Sequence, residues 1–390
     1  MKLDSLINNL YSRTPGFAIS TKLKVVYVTY IKMRCPKKIS STFDSPVSNA
    51  EALRMFNDLL HQWGLTDTSD WHLCIDAREE YFLPHEEMPE VLENLNFKDI
   101  TIYVSSVSDI TNVPYNIEVH PTSCIILRHW YDVLQKENID WDNVGWDRHF
   151  IILARKPTQK RVLMVKHMLD TYKENTICSC GSRDISESVG RRPITVKFNK
   201  DPDRKIDNNA PKNNWVTTAH YNIDFASLMH PYPYPMSIED GPVTEIQGQI
   251  GTDYNFFNNA LNIICETMEE DWQPVNLSEK TFKAFGWYQI PIWHGSPNTV
   301  AEVRKLGFDV FDDIIDHGYD SMTQYDIRRE MVLKEIGRFK EKYDTLDSLA
   351  KLRKELLPRL RSNDQRVLHW VNQEKEKYDP VLLNVANPID

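Results

Sequence analysis

His149-Phe150-Ile151-Ile152-Leu153-Ala154 runs directly into Arg155-Lys156-Pro157-Thr158-Gln159-Lys160-Arg161 and then into the stretch from Val162 to Leu169. The first part is an apolar run of strand length, the second a basic loop, and the third has helical periodicity. Strand, loop and helix in that order recur along the chain. Upstream, Leu23-Lys24-Val25-Val26-Tyr27-Val28-Thr29-Tyr30 reads as a buried strand because it is β-branched and aromatic. The helix that follows, Asn49 to Leu60, puts Leu53, Phe56 and Leu60 on one face, with Gly64 as its stop. Further strands are expected at Trp71 to Ile75, Ile100 to Val104, Ser123 to Leu127, Ala260 to Cys265 and Gln289 to Trp293. Strands separated by helical stretches predict parallel α/β sheets.

The polar run Trp141-Asp142-Asn143-Val144-Gly145-Trp146-Asp147-Arg148 precedes the abrupt strand at His149 and marks a domain boundary. It divides an amino-terminal α/β domain, residues 1–147, from a second α/β domain, residues 148–320. A helical tail, residues 321–390, follows. In that tail Val332, Ile336, Phe339 and Tyr343 share one face, and Leu346, Leu349, Leu352 and Leu356 resume after a break at Asp344-Thr345. The second domain carries a polar insertion from Asn175 to Trp215 and a proline-aromatic loop, His230-Pro231-Tyr232-Pro233-Tyr234-Pro235. Two α/β halves of similar size leave a cleft, and ligands of open α/β sheets sit beyond the carboxyl ends of the strands.

The 390 residues carry 46 Lys and Arg against 56 Asp and Glu, a formal charge of −10, and 41% are hydrophobic. That composition excludes a disordered, collagenous or coiled-coil chain. Glycine, at 13 residues, is too scarce to assume a glycine-rich phosphate loop, so a phosphate must be held by other means. The acidic balance argues against general nucleic-acid binding, yet His149 to Trp215 holds fourteen Lys and Arg against seven Asp and Glu, a local +7. Such a segment suits a lid over a phosphorylated ligand or a surface for a polyanion such as DNA, and the sequence does not choose between them. Six scattered cysteines read as reduced thiols. MKLDSLINNLYSRTPGF has no uninterrupted apolar core, so neither a signal peptide nor a membrane anchor is expected, and a cytoplasmic setting follows.

Chemistry concentrates in Asn276-Leu277-Ser278-Glu279-Lys280-Thr281-Phe282-Lys283-Ala284-Phe285. Ser278 is a helix N-cap candidate, Glu279 and Thr281 fall in the first turn, and Lys280 projects from the same terminus. A helix start with free N–H groups attracts a diphosphate, Lys280 adds charge, and Glu279 accepts from two sugar hydroxyls. An ordinary capped helix accounts for the same residues taken alone. Arg155, Lys160 and Arg161 form a candidate pyrophosphate clamp, Arg contributing forked hydrogen bonds.

An ordered series of runs carries a resemblance. Asn262-Ile263-Ile264-Cys265-Glu266-Thr267, the Leu277-Ser278-Glu279-Lys280-Thr281-Phe282-Lys283 run, Gly295-Ser296-Pro297, Leu306-Gly307-Phe308-Asp309-Val310-Phe311 and Ile315-Asp316-His317-Gly318-Tyr319-Asp320 together resemble the carboxyl-terminal domain of glycosyltransferase-like proteins of tailed phages and other large DNA viruses. The Ser-Glu-Lys centre is also similar to the donor motif of fucosyltransferases and related two-domain GT-B enzymes. The resemblance covers roughly the second half of the chain and extends to Phe150 to Arg161, where Lys160-Arg161 replaces the usual His-Arg and removes an imidazole. It implies two Rossmann-like domains with an interdomain cleft, Glu279 on the nucleotide ribose and Lys280 on the phosphates.

The implied activity is transfer of a sugar from a nucleotide-sugar donor to an acceptor hydroxyl, driven by electrostatic stabilisation of the departing diphosphate, with no metal or cofactor required. The viral flavour implies a hydroxymethylated base in double-stranded viral DNA as acceptor, flipped toward the cleft. A glycan or protein acceptor is the alternative, as is a binding protein without turnover or a virion component. The catalytic base is sought in the amino-terminal half: Asp76, at the end of a strand, first, then Glu79 and Glu80, with His120 as another option. Asp201-Pro202-Asp203 reads as a polar turn and not as a metal site, and Cys178-Ser179-Cys180 has no second pair at zinc spacing.

Overall fold

The computed structural model describes residues 17–29, 49–62, 64–76, 92, 95–104, 106–107, 115–119, 131, 134, 138–154, 158–180, 225–232, 254–266 and 275–386. Strands β1 (Phe17–Ser20), β2 (Val25–Thr29), β3 (His72–Asp76), β4 (Asp99–Val104) and β6 (Asn116–Val119) form one five-stranded sheet in the order β1-β2-β3-β4-β6. The short strand β5 (Ser106–Val107) lies outside it. β2, β3, β4 and β6 run parallel, and only β1 is antiparallel. Helix α1 (Asn49–Gln62) packs Phe56 and Leu60 into a core with Val26, Val28, Leu73, Ile75 and Ile102. Its end follows from Gly64, whose φ of 76° is open to glycine without strain. The Gly64 N–H donates to the His61 carbonyl and the Leu65 N–H to that of Leu60, a Schellman closure of the last turn.

The second sheet is built from β7 (Arg148–Ala154), β8 (Thr176–Cys180), β9 (Asn259–Cys265) and β11 (Ile290–His294), all parallel, in the order β11-β9-β7-β8. All seven residues of β9 and all five of β11 are buried, as expected for parallel strands covered on both faces. From β7 the chain crosses to β8 through α2 (Gln159–Tyr172), and from β9 to β11 through α5 (Glu279–Gly286). The two crossovers step in opposite directions, which, with the right-handed sense such connections take, puts α2 and α5 on opposite faces, and the order reverses between β7 and β9. The short helices α3 (Phe225–Met229), α4 (Tyr254–Phe257) and α6 (Thr299–Lys305) complete this region. Helix α7 (Tyr325–Lys342) joins the α2 side, and α8 (Leu346–Ala386) packs on α5.

The closing helices belong to the core. Val332, Ile336 and Phe339 of α7 and Leu349, Leu352, Leu356 and Leu360 of α8 share one buried cluster with Phe150, Ile152, Ile263 and Ile292. The Arg359 guanidinium forks onto the Asp309 and Asp313 carboxylates, pinning α8 to the loop after α6. The same cluster reaches back past Arg148 to Tyr131, Leu134 and Trp146, so the residues just before the expected boundary pack with the second sheet.

Two links join the sheets' surroundings. β5, just after β4, pairs antiparallel with β10 (Val275–Asn276), just before α5. Helix α8, 41 residues and roughly 60 Å long, contacts β1.

One expectation is corrected. The segment from Asn175 to Trp215 opens with β8 and so is not an insertion from its start. Thr176-Ile177-Cys178-Ser179-Cys180 lacks an aliphatic run because it is an edge strand, three of its five residues only partly buried. Burial pushes the Cys178 thiol up to about 12 and Cys180 to about 11, so both stay protonated packing groups. The expected strand at Ser123 to Leu127 and the turn Asp201-Pro202-Asp203 lie outside the described residues.

Asp364 on α8 accepts hydrogen bonds from the Tyr131 and Tyr288 hydroxyls at 3.1 and 3.3 Å, yet burial raises its carboxyl to about 6. An acid whose folded pKa lies above its unfolded value contributes stability at low pH, and that contribution is lost as pH rises from about 4 through about 6. Asp364→Asn is therefore expected to flatten this slope and to raise stability at pH 7.5 by on the order of 1–2 kcal/mol in urea unfolding. An unchanged pH profile in the variant contradicts this assignment.

Candidate functional site

The carboxyl edge of the second sheet is where its polar side chains gather. β9 ends at Cys265, and the next residue, Glu266, continues the pairing through its N–H to the His294 carbonyl at 3.1 Å. Its side chain is fully buried. Glu266 Oε1 accepts from the Ser278 backbone N–H at 3.1 Å and from Thr281 Oγ1 at 2.9 Å. Thr281 Oγ1 in turn accepts from Trp293 Nε1 at 3.0 Å. One carboxylate oxygen thereby ties the start of α5 to the end of β9, and the threonine passes the tie on to β11. Gly295 leaves room for it, since a Cβ there would stand 3.3 Å from Glu266 Cβ and 3.1 Å from Thr299 Oγ1. The other oxygen, Glu266 Oε2, is buried and has no hydrogen-bond partner among the described residues. Leaving such an acceptor unsatisfied costs about 1–3 kcal/mol.

On this base sits the first turn of α5. Ser278 is the N-cap and accepts from the Lys280 N–H at 3.4 Å and from Lys280 Nζ at 3.1 Å. Lys280 Nζ stands 3.3 Å from Glu279 Oε1, and both side chains keep about a quarter of their surface exposed. Burial pulls the Glu279 carboxyl up, but Lys280, Lys283 and the helix's own N–H outweigh it and hold the group at about 2. Glu279 is an anion throughout the physiological range, lying against an ammonium at an edge open to solvent.

The opposite face contributes cations. Thr158 caps α2, accepting from the Arg161 N–H at 3.2 Å. Lys160 Nζ lies 3.5 Å above the Tyr325 ring of α7. Arg161 is 3% exposed, and Arg328 is 1% exposed and donates to the Gly295, Met322 and Thr323 carbonyls. His294, the last residue of β11, packs edge-on to Tyr325 with ring centroids 5.2 Å apart. Burial first, then Arg328, Lys160, Arg329 and Arg161, push the His294 imidazole down to about 3, so it is neutral amid cations.

The residues expected from the sequence are thus distributed over two faces. Ser278, Glu279, Lys280 and Thr281 share one turn, with Thr281 turned inward and fully buried. Lys160 and Arg161 begin α2 on the other face, where Arg161 is also buried. Asp76 is the last residue of β3, paired with Thr29 and Tyr103 at the carboxyl end of the first sheet. Arg155, Glu79, Glu80 and His120 lie outside the described residues.

No family model, curated protein or solved structure matches the chain.

Sequence reasoning passed over Glu266, His294 and Arg328. Glu266 had a readable signal, an acidic residue directly after the apolar run Ile263-Ile264-Cys265, where a carboxylate is forced to the carboxyl edge. Arg328 had none, because an arginine in an exposed-looking helix start is ordinary. Among the described residues no group of three or more His, Cys, Asp or Glu is placed to hold a metal, and no helix is long and apolar enough to cross a membrane. An open groove of about 570 Å³ lined by Arg304, Asp312, Asp316, His317 and Arg338 has no α5 residue in its lining, and its Arg304 is already paired with Asp312.

Thr281→Val keeps the shape but strips both hydrogen bonds from Oγ1. It is expected to lower stability by about 1–3 kcal/mol in chemical denaturation, because the Trp293 indole N–H loses its buried acceptor. A loss below about 0.5 kcal/mol would show that this tie does not hold the helix start.

Proposed function

We propose that the chain is a nucleotide-sugar-dependent glycosyltransferase of two-domain GT-B type, with its donor site at the start of α5. The observation that carries this reading is the Glu279–Lys280 pair on a capped helix terminus at the carboxyl edge of a doubly wound sheet. That terminus combines an ionised acceptor suited to vicinal ribose hydroxyls with an ammonium, at the positive end of a helix, suited to a diphosphate. The cations of the opposite face, Lys160, Arg161 and Arg328, make the same edge electropositive.

In the proposed reaction the bond between the sugar's anomeric carbon and the diphosphate oxygen breaks, and the electron pair leaves with the diphosphate. A bond from the acceptor oxygen to the anomeric carbon forms, and the acceptor proton passes to a base, for which Asp76, at the carboxyl end of the first sheet, is the candidate. Lys280 and the helix terminus stabilise the charge that builds on the leaving group. The proposed acceptor is a hydroxymethylated base in double-stranded DNA, the acceptor the family resemblance implies.

Transfer of radiolabel from nucleotide-sugars to hydroxymethylcytosine DNA, with unmodified DNA alongside, tests the reading. Lys280→Ala is expected to lower kcat by roughly 100-fold, as loss of a charge that stabilises the departing group. Glu279→Ala is expected to raise KM for the donor at least tenfold. Transfer to a glycan and to neither DNA would replace the acceptor. Tight binding of a nucleotide-sugar with no turnover on any acceptor would replace the enzyme by a binding protein.

A further inference from the structure

We propose that Glu266 Oε2 is a binding group of the donor site, an acceptor held for a hydroxyl of the bound nucleotide-sugar. The inference rests on the donor-site reading above and adds a residue to it. Glu266 is fully buried at the end of the central strand β9, beside the point where the strand order reverses. Its two oxygens are used unequally. Oε1 is saturated by Ser278 and Thr281 of the α5 start, whereas Oε2 has no partner among the described residues. Because Oε1 is fixed to the first turn, Oε2, its neighbour in the same carboxylate, is fixed beside that turn as well. Gly295 allows the packing that brings the side chain there.

A structural role alone does not account for this asymmetry. Holding the helix start requires only an acceptor at Oε1, which a glutamine carbonyl supplies equally well. A carboxyl group with a lone buried oxygen is the less stable choice, and folds keep such groups where a ligand completes them. The partner must be a donor, which a sugar hydroxyl supplies and a phosphate oxygen does not, since two anionic oxygens repel. The carboxylates of Glu266 and Glu279 therefore flank the α5 start as two hydroxyl acceptors, with the Lys280 ammonium beside them for the diphosphate.

Glu266→Gln separates the two roles, since its carbonyl replaces Oε1 and its amide, a donor, replaces Oε2. Full-length protein and variant are titrated calorimetrically with uridine and guanosine diphosphate hexoses and with inorganic pyrophosphate, alongside thermal unfolding. The expected result is a variant at least as stable as the parent that binds the nucleotide-sugar at least tenfold more weakly and pyrophosphate equally. Equal nucleotide-sugar affinity in parent and variant overturns the Oε2 assignment while leaving the donor site standing. If the parent itself binds no nucleotide-sugar, the donor-site reading fails first. If Glu266→Gln unfolds, Glu266→Asp, which retracts the charge and retains it, is measured instead. Undiminished nucleotide-sugar binding by that variant likewise rejects the assignment.

Discussion

A single buried carboxylate oxygen organises the candidate site. Glu266 Oε1 holds the Ser278 N–H and the Thr281 hydroxyl, and through Thr281 the Trp293 indole, so the end of β9, the first turn of α5 and the strand β11 are tied together. A buried polar group demands hydrogen-bond partners, and here they are an N–H at the start of a helix together with a hydroxyl. The consequence is geometric. Ser278 is fixed as the cap, so Glu279 and Lys280 emerge side by side at the rim of the sheet instead of fraying with the terminus.

The sheet order decides why this rim is where chemistry is expected. With β7 and β9 adjacent and their crossovers stepping apart, the helix starts of α2 and α5 stand on opposite faces of the same carboxyl edge. One brings Lys160 and Arg161, the other Glu279 and Lys280. His294 between them is kept neutral by burial and by the surrounding cations. The small ladder of Ser106-Val107 with Val275-Asn276 runs directly into the α5 cap. It ties the carboxyl end of β4 to the entry of that helix, and so connects the surroundings of the first sheet to the candidate site.

Much of this architecture was legible in the chain. The apolar runs at Val25, His149, Ala260 and Gln289 are strands because parallel strands buried on both faces need predominantly apolar residues, and the polar Asn262 within them is paired with Gln289. The Ser278 cap was legible because capping chemistry is local. What was not legible depended on distant partners. β8 hides in Thr176-Ile177-Cys178-Ser179-Cys180 because an edge strand needs less apolar surface. Arg328 looked like a surface residue until its guanidinium found the Gly295, Met322 and Thr323 carbonyls. Thr281 and Arg161 read as ligand contacts from their positions in the sequence, but the fold turns both inward. The closing helices read as a tail, yet they carry part of the second core, since an amphipathic pattern does not reveal what lies against its apolar face.

The central claim is that the first turn of α5 receives a nucleoside diphosphate. Its most direct test is a crystal structure of the full chain soaked with uridine or guanosine diphosphate. The expected density places the ribose hydroxyls on the Glu279 carboxylate and the phosphates against Lys280. A diphosphate bound elsewhere on the molecule, with the Glu279–Lys280 pair intact and untouched, would contradict it.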